Sequence, residues 1–180
     1  LAMHAQHVLA FEIDEGLIPI LQHTLEDYSN VEIILQDFLM CDLDEVVHAL
    51  KEKYGTVSVC ANLPYYITTP IIMGLFESHV PIASITVMVQ KEVGDRFVAK
   101  PKDPEYNALS VEGQYLFDIK RLFTVPGRSF NPSPAVDSVI IQFARKDNDA
   151  SNEEIRDFFE LVRACFKQRR KTIYNNLKEY

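Results

Sequence analysis

The tetrapeptide Asn62-Leu-Pro-Tyr65 has residue types that suit one particular reaction. The exocyclic amine of a nucleobase is a poor nucleophile, because its lone pair is delocalised into the ring. A side-chain amide oxygen and a backbone carbonyl can accept its two N–H bonds and direct the lone pair at an electrophile. The tyrosine ring offers a stacking face to a base that has left its helix. Taken alone, the tetrapeptide fits an ordinary strand-to-helix turn equally well.

Two acidic residues lie at the ends of apolar runs that resemble strands. Glu12 and Asp37 each follow or end an apolar, strand-like run. In open α/β sheets, ligands bind beyond the carboxyl ends of the strands, where an acid can accept from ribose hydroxyls or an adenine amine. Each acid could equally cap the following helix. The six glycines nowhere form G-x-G, and none precedes Glu12. Either this is not a nucleotide-binding fold, or the chain begins after the first strand and its loop.

The first half of the chain alternates short apolar runs with amphipathic stretches. Strands are predicted at residues 8–13, 31–35, 57–61 and 82–89, and helices at residues 17–28, 43–54 and 70–77. Nearly continuous apolar strands separated by helices indicate a mostly parallel sheet covered on both faces. The β-α-β alternation predicts the α/β class.

The rhythm changes after Lys91. Helices are predicted at residues 91–99, 108–115 and 153–166, and strands at residues 118–125 and 138–143. Residues 126–134 contain three prolines, which predicts a rigid loop between the two strands. An antiparallel hairpin at the edge of the sheet would fit this pattern.

Composition sets the broad class. The chain has 180 residues, 47% hydrophobic and 24% charged, as expected for a globular protein with one domain or one domain and part of another. No apolar run approaches the roughly 20 residues of a membrane span, and the first residues do not resemble a signal peptide.

Three widely spaced cysteines favour a reducing cytoplasm. The net charge is −8, yet residues 161–180 carry six basic residues and one acid, which fits either a binding face or a solvated helix.

Extending the first motif gives a specific resemblance. Asn62-Leu-Pro-Tyr-Tyr-Ile-Thr-Thr-Pro-Ile71 resembles a motif of the KsgA/RsmA family of small-subunit (16S) rRNA adenine N6-dimethyltransferases. Further stretches resemble the family's motifs in the same order, over essentially all of the chain. They are Phe11-Glu-Ile-Asp14, Gln36-Asp-Phe-Leu39, Gln90-Lys-Glu-Val93, Leu109-Ser110 with Gln114-Tyr115, Phe130-Asn-Pro-Ser-Pro-Ala-Val-Asp-Ser138, and Phe166-Lys-Gln-Arg-Arg-Lys-Thr172 with Asn175-Asn-Leu177.

The resemblance implies a Rossmann-like fold and S-adenosylmethionine as methyl donor. No pattern of metal-binding residues appears in the sequence, so no metal is expected. Glu12 would bind the ribose hydroxyls, Ile13 would pack on the adenine of the cofactor, and Asp37 would accept from its amino group beside Phe38. Asn62 would contribute to both cofactor and target binding.

For the target, the resemblance implies that Asn62 and the Leu63 carbonyl orient the amine, with Pro64 stiffening the turn. Tyr65 and Phe130 would sandwich the flipped adenine. The implied partner is small-subunit rRNA in a 30S ribosomal subunit precursor, methylated on two adjacent adenines of a hairpin. The protein is expected to be a cytoplasmic monomer without membrane contact.

Basic side chains are the expected RNA contacts, because RNA affinity comes mainly from phosphates. The candidates are Lys91, Arg96, Lys100, Lys102, Arg128, and the basic residues from Arg163 to Lys171, which include Arg169 and Arg170. The final cluster could instead pack against further helices. The histidines (His4, His7, His23, His48 and His79) show no partner pattern and are interpreted as surface or helix residues.

The sequence departs from the family pattern at both ends. The glycine-rich loop that holds the methionine part of the cofactor is absent, as is most of the helical C-terminal domain. The chain therefore resembles a fragment, with a catalytic domain at residues 1–148, lacking its first strand, and the start of a helical RNA-binding domain at residues 149–180. We expect such a fragment to bind the cofactor weakly or not at all.

Two alternatives remain open. Large-subunit rRNA adenine methyltransferases (Erm-like) share the fold but typically carry Asn-Ile-Pro-Tyr, and DNA adenine methyltransferases usually show Asp-Pro-Pro-Tyr, which is absent here. A relative could also keep the fold as a non-catalytic assembly or transcription factor. The presence of Glu12, Asp37, Asn62, Tyr65 and Phe130 favours a catalytic protein.

Overall fold

A computed structural model describes residues 1–78, 80–178 and 180. The strands are β1 (Val8–Glu12), β2 (Val31–Leu35), β3 (Val57–Asn62), β4 (Ile82–Gln90), β5 (Phe117–Val125) and β6 (Ser138–Arg145). The helices are α1 (Ile18–Thr24), α2 (Leu43–Tyr54), α3 (Thr68–Glu77), α4 (Lys91–Val98), α5 (Ala108–Leu116), α6 (Asn152–Phe166) and α7 (Ile173–Leu177). Short 3₁₀ turns lie at Glu15–Leu17, Phe38–Met40 and Gly127–Ser129.

Contacts divide the chain into two compact units, Leu1–Val57 and Ser58–Tyr180. In the first unit β1 and β2 pair in parallel, with Glu12 opposite Leu35. Helix α2 begins where the Asp42 side chain accepts from the backbone N–H of Glu45 at 3.1 Å. It ends at Gly55, whose φ of +84° lies in the left-handed region that glycine adopts without strain.

The second unit is built on a four-stranded sheet in the order β3-β4-β6-β5. Strand β6 runs antiparallel to both neighbours, so Ser138 at its start lies opposite Gln90 of β4 and Val125 of β5. The predicted hairpin at the edge is present, since β5 is the outer strand and pairs with β6. The Pro-rich loop that joins them therefore leaves and re-enters the sheet at one end.

The core of the second unit is aromatic. Phe76 of α3, Phe97 of α4, Phe117 of β5 and Phe143 of β6 are each fully buried, and their ring centroids lie 4.8–6.1 Å apart. Burying each such ring contributes about 1.5–3 kcal/mol. This cluster fixes α3 and α4 against the sheet, and each of these helices adjoins a segment that lines the candidate site.

The predicted α/β class, with a mostly parallel sheet and an antiparallel hairpin at its edge, is confirmed. The helix predicted at residues 17–28 is shorter, because a 3₁₀ turn precedes α1 and its backbone leaves the helical region at Leu25. The predicted domain boundary near residue 148 stays a prediction. Within the described residues, no helix is long and apolar enough to cross a membrane.

The contacts of two described histidines are an aromatic stacking contact and a backbone hydrogen bond within a helix. His7 stacks on Tyr54 with ring centroids 4.9 Å apart, and His48 bonds the backbone oxygen of Asp44 one helical turn earlier. His79, one of those interpreted as surface or helix residues, lies outside the described residues.

Candidate active site

The segment after β3 forms a tight turn in which the backbone carbonyls differ in whether they accept hydrogen bonds. The Pro64 oxygen accepts from the backbone N–H of Ile67 and from the Thr68 hydroxyl, each at 3.1 Å. These two bonds start α3. The Leu63 oxygen and the Asn62 side chain accept no hydrogen bond from any residue that the structure describes. The turn thus leaves two neighbouring acceptors available, and Asn62 is exposed.

The Tyr65 side chain is held in place by a buried residue far away in sequence. Its phenol oxygen lies 2.8 Å from the Ser138 hydroxyl. Ser138 is 0% exposed and sits between β4 and β5 in the sheet. The phenol end of the Tyr65 ring is therefore anchored to a buried residue of the central sheet of the second unit.

Phe130 comes from the Pro-rich loop between β5 and β6. It ends the 3₁₀ turn Gly127–Ser129, and its N–H donates to the Gly127 oxygen at 3.1 Å. A Cβ at Gly127 would lie 2.7 Å from the backbone oxygen of Pro134, so only glycine allows the two arms of the loop to approach this closely. The Gly127 N–H donates to the Asp137 carboxylate at 2.9 Å.

These segments line one open cleft of about 360 Å³. Its walls are Asn62, Leu63, Pro64, Tyr65, Met88, Phe130, Pro132 and Pro134. All five residues predicted to act on the target adenine are thus brought together, although their roles remain predictions. Met88 gives no sequence signal, because it continues the alternating pattern of β4. Pro132, Pro134 and Ser138 lie within the motif Phe130–Ser138, in which the sequence predicts a role for Phe130 alone.

Four of the five predicted cofactor residues lie in the first unit: Glu12, Ile13, Asp37 and Phe38. The fifth, Asn62, lies in the second unit. Because β1 and β2 are parallel neighbours, Glu12 and Asp37 lie at the same edge of their sheet. Glu12 Oε1 accepts from the backbone N–H groups of Ile13 and Asp14 at 2.8 and 2.9 Å. Its other carboxylate oxygen bonds no described residue.

Asp37 caps the 3₁₀ turn that follows it, through a bond from the Leu39 N–H at 2.9 Å. Phe38 packs edge-on against Phe11 with ring centroids 5.4 Å apart. Ile13 is 68% exposed at the same sheet edge. The edge thus carries two carboxylates and an exposed apolar side chain. The capping alternative raised by the sequence is present at Asp37, and it uses only one carboxylate oxygen.

The predicted RNA-binding residues differ in how they are engaged. Lys91 pairs with Asp95 at 2.6 Å and Arg96 pairs with Glu92 at 2.5 Å, both along α4. Arg128 is exposed in the turn that carries Phe130, and bonds no described residue. Surface pairs of this kind are worth about 0–1 kcal/mol, so they leave both cations of α4 able to exchange partners.

The basic run after α6 is exposed. Arg169 donates to the Pro104 oxygen at 2.9 Å, and Arg170 and Lys171 follow before Thr172 caps α7. Arg163, at the start of the predicted basic stretch, instead lies on α6 and bonds the carboxylates of Glu77 and Glu112. That engagement makes Arg163 a structural cation. Among the described residues, no three His, Cys, Asp or Glu side chains are grouped to hold a metal ion.

Comparison with known proteins identifies the class. The model of the family described as ribosomal RNA adenine dimethylase matches residues 1–180, and the chain belongs to this family. Ribosomal RNA small subunit methyltransferase A of Oceanobacillus iheyensis is 47% identical over 181 residues, covering 100% of this chain and 62% of that protein. The protein of the same description from Bacillus mycoides is 49% identical over 180 residues, covering 98% and 61%. The chain therefore spans about three fifths of the length of these relatives.

Solved structures agree with the fold. A dimethyladenosine transferase from Plasmodium falciparum superposes with a TM-score of 0.80 at 28% identity, covering 97% of this chain and 60% of that one. The 23S rRNA methyltransferase ErmE gives a TM-score of 0.76 at 24% identity, covering 99% and 69%, and this likeness concerns the fold alone. The resemblance inferred from the motifs is confirmed.

Proposed function

We propose that this chain carries the target-binding and part of the cofactor-binding machinery of a small-subunit rRNA adenine N6,N6-dimethyltransferase. The protein would act on two adjacent adenines of a hairpin in the 30S precursor, as a monomer in the cytoplasm. Family membership and relatives described as ribosomal RNA small subunit methyltransferase A support the reaction class. The residues of the cleft support the chemistry.

The observation that carries the proposal is the pair of available acceptors at Asn62 and Leu63. The two N–H bonds of an adenine N6 would go to the Asn62 Oδ1 and to the Leu63 oxygen. The Pro64 oxygen is already used by the start of α3, which favours Leu63 as the backbone acceptor. Holding both hydrogens in this way directs the nitrogen lone pair away from the ring plane and towards the methyl donor.

The aromatic side chains would hold the base after it leaves the RNA stack. Tyr65 and Phe130 both line the cleft, and the two described rings do not stack on one another. A flipped adenine could therefore enter between them. Stacking of a base on an aromatic ring is worth about 1–3 kcal/mol, enough to offset much of the cost of unstacking.

The residues at the edge of the first unit fit the adenosine part of S-adenosylmethionine. Glu12 keeps one carboxylate oxygen for ribose hydroxyls while the other is fixed by two N–H groups. Ile13 is exposed and apolar, which suits an adenine face, and Asp37 can accept from the adenine amine. S-adenosylmethionine supplies a methyl group already activated on a sulfonium. A strong general base would therefore not be required. As the bond from N6 to the methyl carbon forms, the bond from that carbon to sulfur would break, S-adenosylhomocysteine would leave as a neutral thioether, and the extra proton on N6 would pass to water.

Exposed cations would bind the RNA backbone around the target. Arg128 lies two residues from Phe130 on the same turn, so it would meet a phosphate near the flipped base. Arg169, Arg170 and Lys171 would contact a more distant strand. Lys91 and Arg96 would exchange their carboxylate partners for phosphates.

The proposal is tested with a chimera in which these 180 residues replace the matching segment of the Bacillus mycoides relative. Labelled methyl transfer from S-adenosylmethionine is measured separately on small and on large ribosomal subunits that lack the modification, and the product is mapped by mass spectrometry. We expect dimethyladenosine at two adjacent positions of small-subunit rRNA. Product in large subunits alone would favour the Erm-like alternative. RNA binding without transfer would favour an assembly factor.

We also propose that the 180 residues alone bind the cofactor weakly, because they contain no G-x-G loop to hold its methionine part. Calorimetry on the isolated chain should show no saturable binding at micromolar cofactor. The chimera serves as the positive control. Micromolar binding by the isolated chain would contradict this part of the proposal.

A further inference from the structure

Two neighbouring residues, Asp137 and Ser138, connect both aromatic walls of the cleft to the sheet. The Ser138 hydroxyl lies 2.8 Å from the Tyr65 phenol oxygen, and the Asp137 carboxylate accepts from the Gly127 N–H at 2.9 Å. Gly127 in turn accepts from Phe130. A single dipeptide therefore bonds the Tyr65 phenol directly and, through Gly127, the backbone of the turn that carries Phe130.

The dipeptide is itself fixed on both sides. Ser138 is 0% exposed and lies opposite Gln90 and Val125 in the register of β6. The Asp137 backbone oxygen accepts from the Lys91 N–H at 2.9 Å, at the point where β4 gives way to α4. Side chains attached to such a support hold their partners with little freedom to move.

We infer that Asp137 and Ser138 are positioning residues that set the separation and orientation of Tyr65 and Phe130 for the target adenine. The inference rests on the proposed function. Neither residue lines the cleft, so both act through the aromatic side chains. Ser138 fixes the position of the phenol end of the Tyr65 ring through its hydroxyl. Asp137 fixes the start of the turn that presents Phe130.

The Ser138 part is tested by a double-mutant cycle in the chimera, using Ser138→Ala, Tyr65→Phe and the combination. Each single change removes the same hydrogen bond, and Tyr65→Phe keeps the stacking ring. We expect each to lower kcat/KM for methyl transfer about three- to tenfold, and the combination to lower it no further. Ser84→Ala is the matched control, because it removes an exposed serine–serine bond to Ser58 on the same sheet. It should leave transfer unchanged.

A merely structural serine would give a different pattern. The Ser138→Ala and Tyr65→Phe losses would then multiply, or Tyr65→Phe would transfer methyl groups at the parent rate, and either result would overturn the assignment. If Ser138→Ala does not fold, Tyr65→Phe alone still decides, since parent-level transfer by this variant would show that the hydroxyl bond is not needed.

The Asp137 part is tested by a conservative rescue. Asp137→Ala removes the acceptor of the Gly127 N–H, whereas Asp137→Asn keeps an oxygen in the same place. We expect Asp137→Ala to lose about three- to tenfold in kcat/KM and Asp137→Asn to retain most of the parent value. Equal losses in both variants would contradict the inference. If the parent chimera shows no transfer, the proposed function fails instead, so the two failures are distinguishable.

Discussion

The Nε of Arg163 on α6 lies 2.9 Å from the carboxylate of Glu112 on α5, and that carboxylate is only 1% exposed. The same guanidinium also bonds Glu77, the last residue of α3. One cation thus joins three helices, and α3 begins at the turn that carries Asn62 and Tyr65. The pair connects the last long helix of the chain to the element behind the cleft.

Removing the cation should be costly. Arg163→Ala leaves the Glu112 carboxylate buried without its partner, and breaking a buried pair in this way typically costs 3–5 kcal/mol. The guanidinium is half exposed, so water can partly replace it, and we expect a loss of about 2–3 kcal/mol in the free energy of unfolding. Urea denaturation measures this. Arg156→Ala, an exposed arginine on the same helix, is the control, and equal midpoints for the two variants would contradict the expectation.

The deficit of Arg163→Ala should depend on pH. Burial raises the pKa of Glu112, and the Arg163 guanidinium opposes that rise by bonding the ionised form. A folded-state pKa above the unfolded value means that the contribution to stability is fully present below the unfolded pKa and is lost as pH rises through the folded pKa. In Arg163→Ala the guanidinium no longer opposes the rise in the pKa of Glu112. The free energy of unfolding that this variant loses relative to the parent should therefore become smaller as the pH falls.

The charge itself can be removed to check this cause. Glu112→Gln in the Arg163→Ala background should recover part of the lost stability at neutral pH, because no charge is then buried. Failure to recover any stability would show that lost packing, rather than the unpaired carboxylate, explains the deficit. Urea midpoints measured across the acidic range for all variants provide the comparison.

A second stability prediction concerns the start of α6. The Ser151 hydroxyl accepts from the Glu154 N–H at 3.3 Å while Glu154 bonds back to Ser151, which forms a capping box. Ser151→Ala should cost about 1 kcal/mol in the free energy of unfolding. Ser29→Ala is the control, because Ser29 is exposed in the turn before β2 and its hydroxyl bonds no described residue. No loss beyond that control would contradict the capping role.

The same cap predicts a pH dependence of opposite sign. The backbone and side-chain bonds from Ser151 lower the pKa of Glu154. A lowered folded-state pKa contributes stability that is present above the unfolded pKa and is lost as pH falls through the folded pKa. The difference in stability between the parent and Glu154→Gln should therefore shrink at acidic pH. A difference that grows on acidification would contradict this sign.

The cofactor residues are tested by binding. Glu12→Ala in the chimera should weaken S-adenosylmethionine binding by at least about tenfold, because a charged acceptor of the ribose hydroxyls is lost. Glu12→Gln keeps the acceptor of the Ile13 and Asp14 N–H groups, so its affinity for S-adenosylmethionine should lie between those of the parent and Glu12→Ala. Glu15→Ala, an exposed acid three residues along, is the control. Calorimetry that finds Glu12→Ala and Glu15→Ala equally tight would remove Glu12 from this role.

Much of the fold follows from local sequence patterns. Strand β2 and helix α2 match their predicted bounds. Asp42 and Gly55 cap the two ends of the helix, and the strand is rich in β-branched residues. Helix α7 was not predicted, since five residues capped by Thr172 are too short to show an apolar period. The hairpin of β5 and β6 was predicted, but the placement of β6 between β4 and β5 depends on packing across the sheet, which no local pattern encodes.

The residues of the candidate site that belong to sequence motifs could be predicted. Asn62, Tyr65 and Phe130 were expected to act together, and the structure places them in one cleft. Their supports could not be assigned from sequence, because Ser138 and Asp137 act through hydrogen bonds that span 73 and 10 residues. The commitment of Arg163 to Glu77 and Glu112 was likewise invisible, since charge patterning does not distinguish a buried partner from a phosphate.

The most direct test of the account is Asn62→Ala in the chimera, with methyl transfer to unmodified small subunits measured by mass spectrometry. Losing one preorganised hydrogen-bonding group at a reacting atom costs about 100- to 1,000-fold in rate. Asn148→Ala, an asparagine in the linker before α6, is the control. We predict that Asn62→Ala keeps the parent's circular dichroism spectrum and RNA affinity while dimethyladenosine disappears. Turnover near the parent rate would contradict the assignment of Asn62 to the target amine.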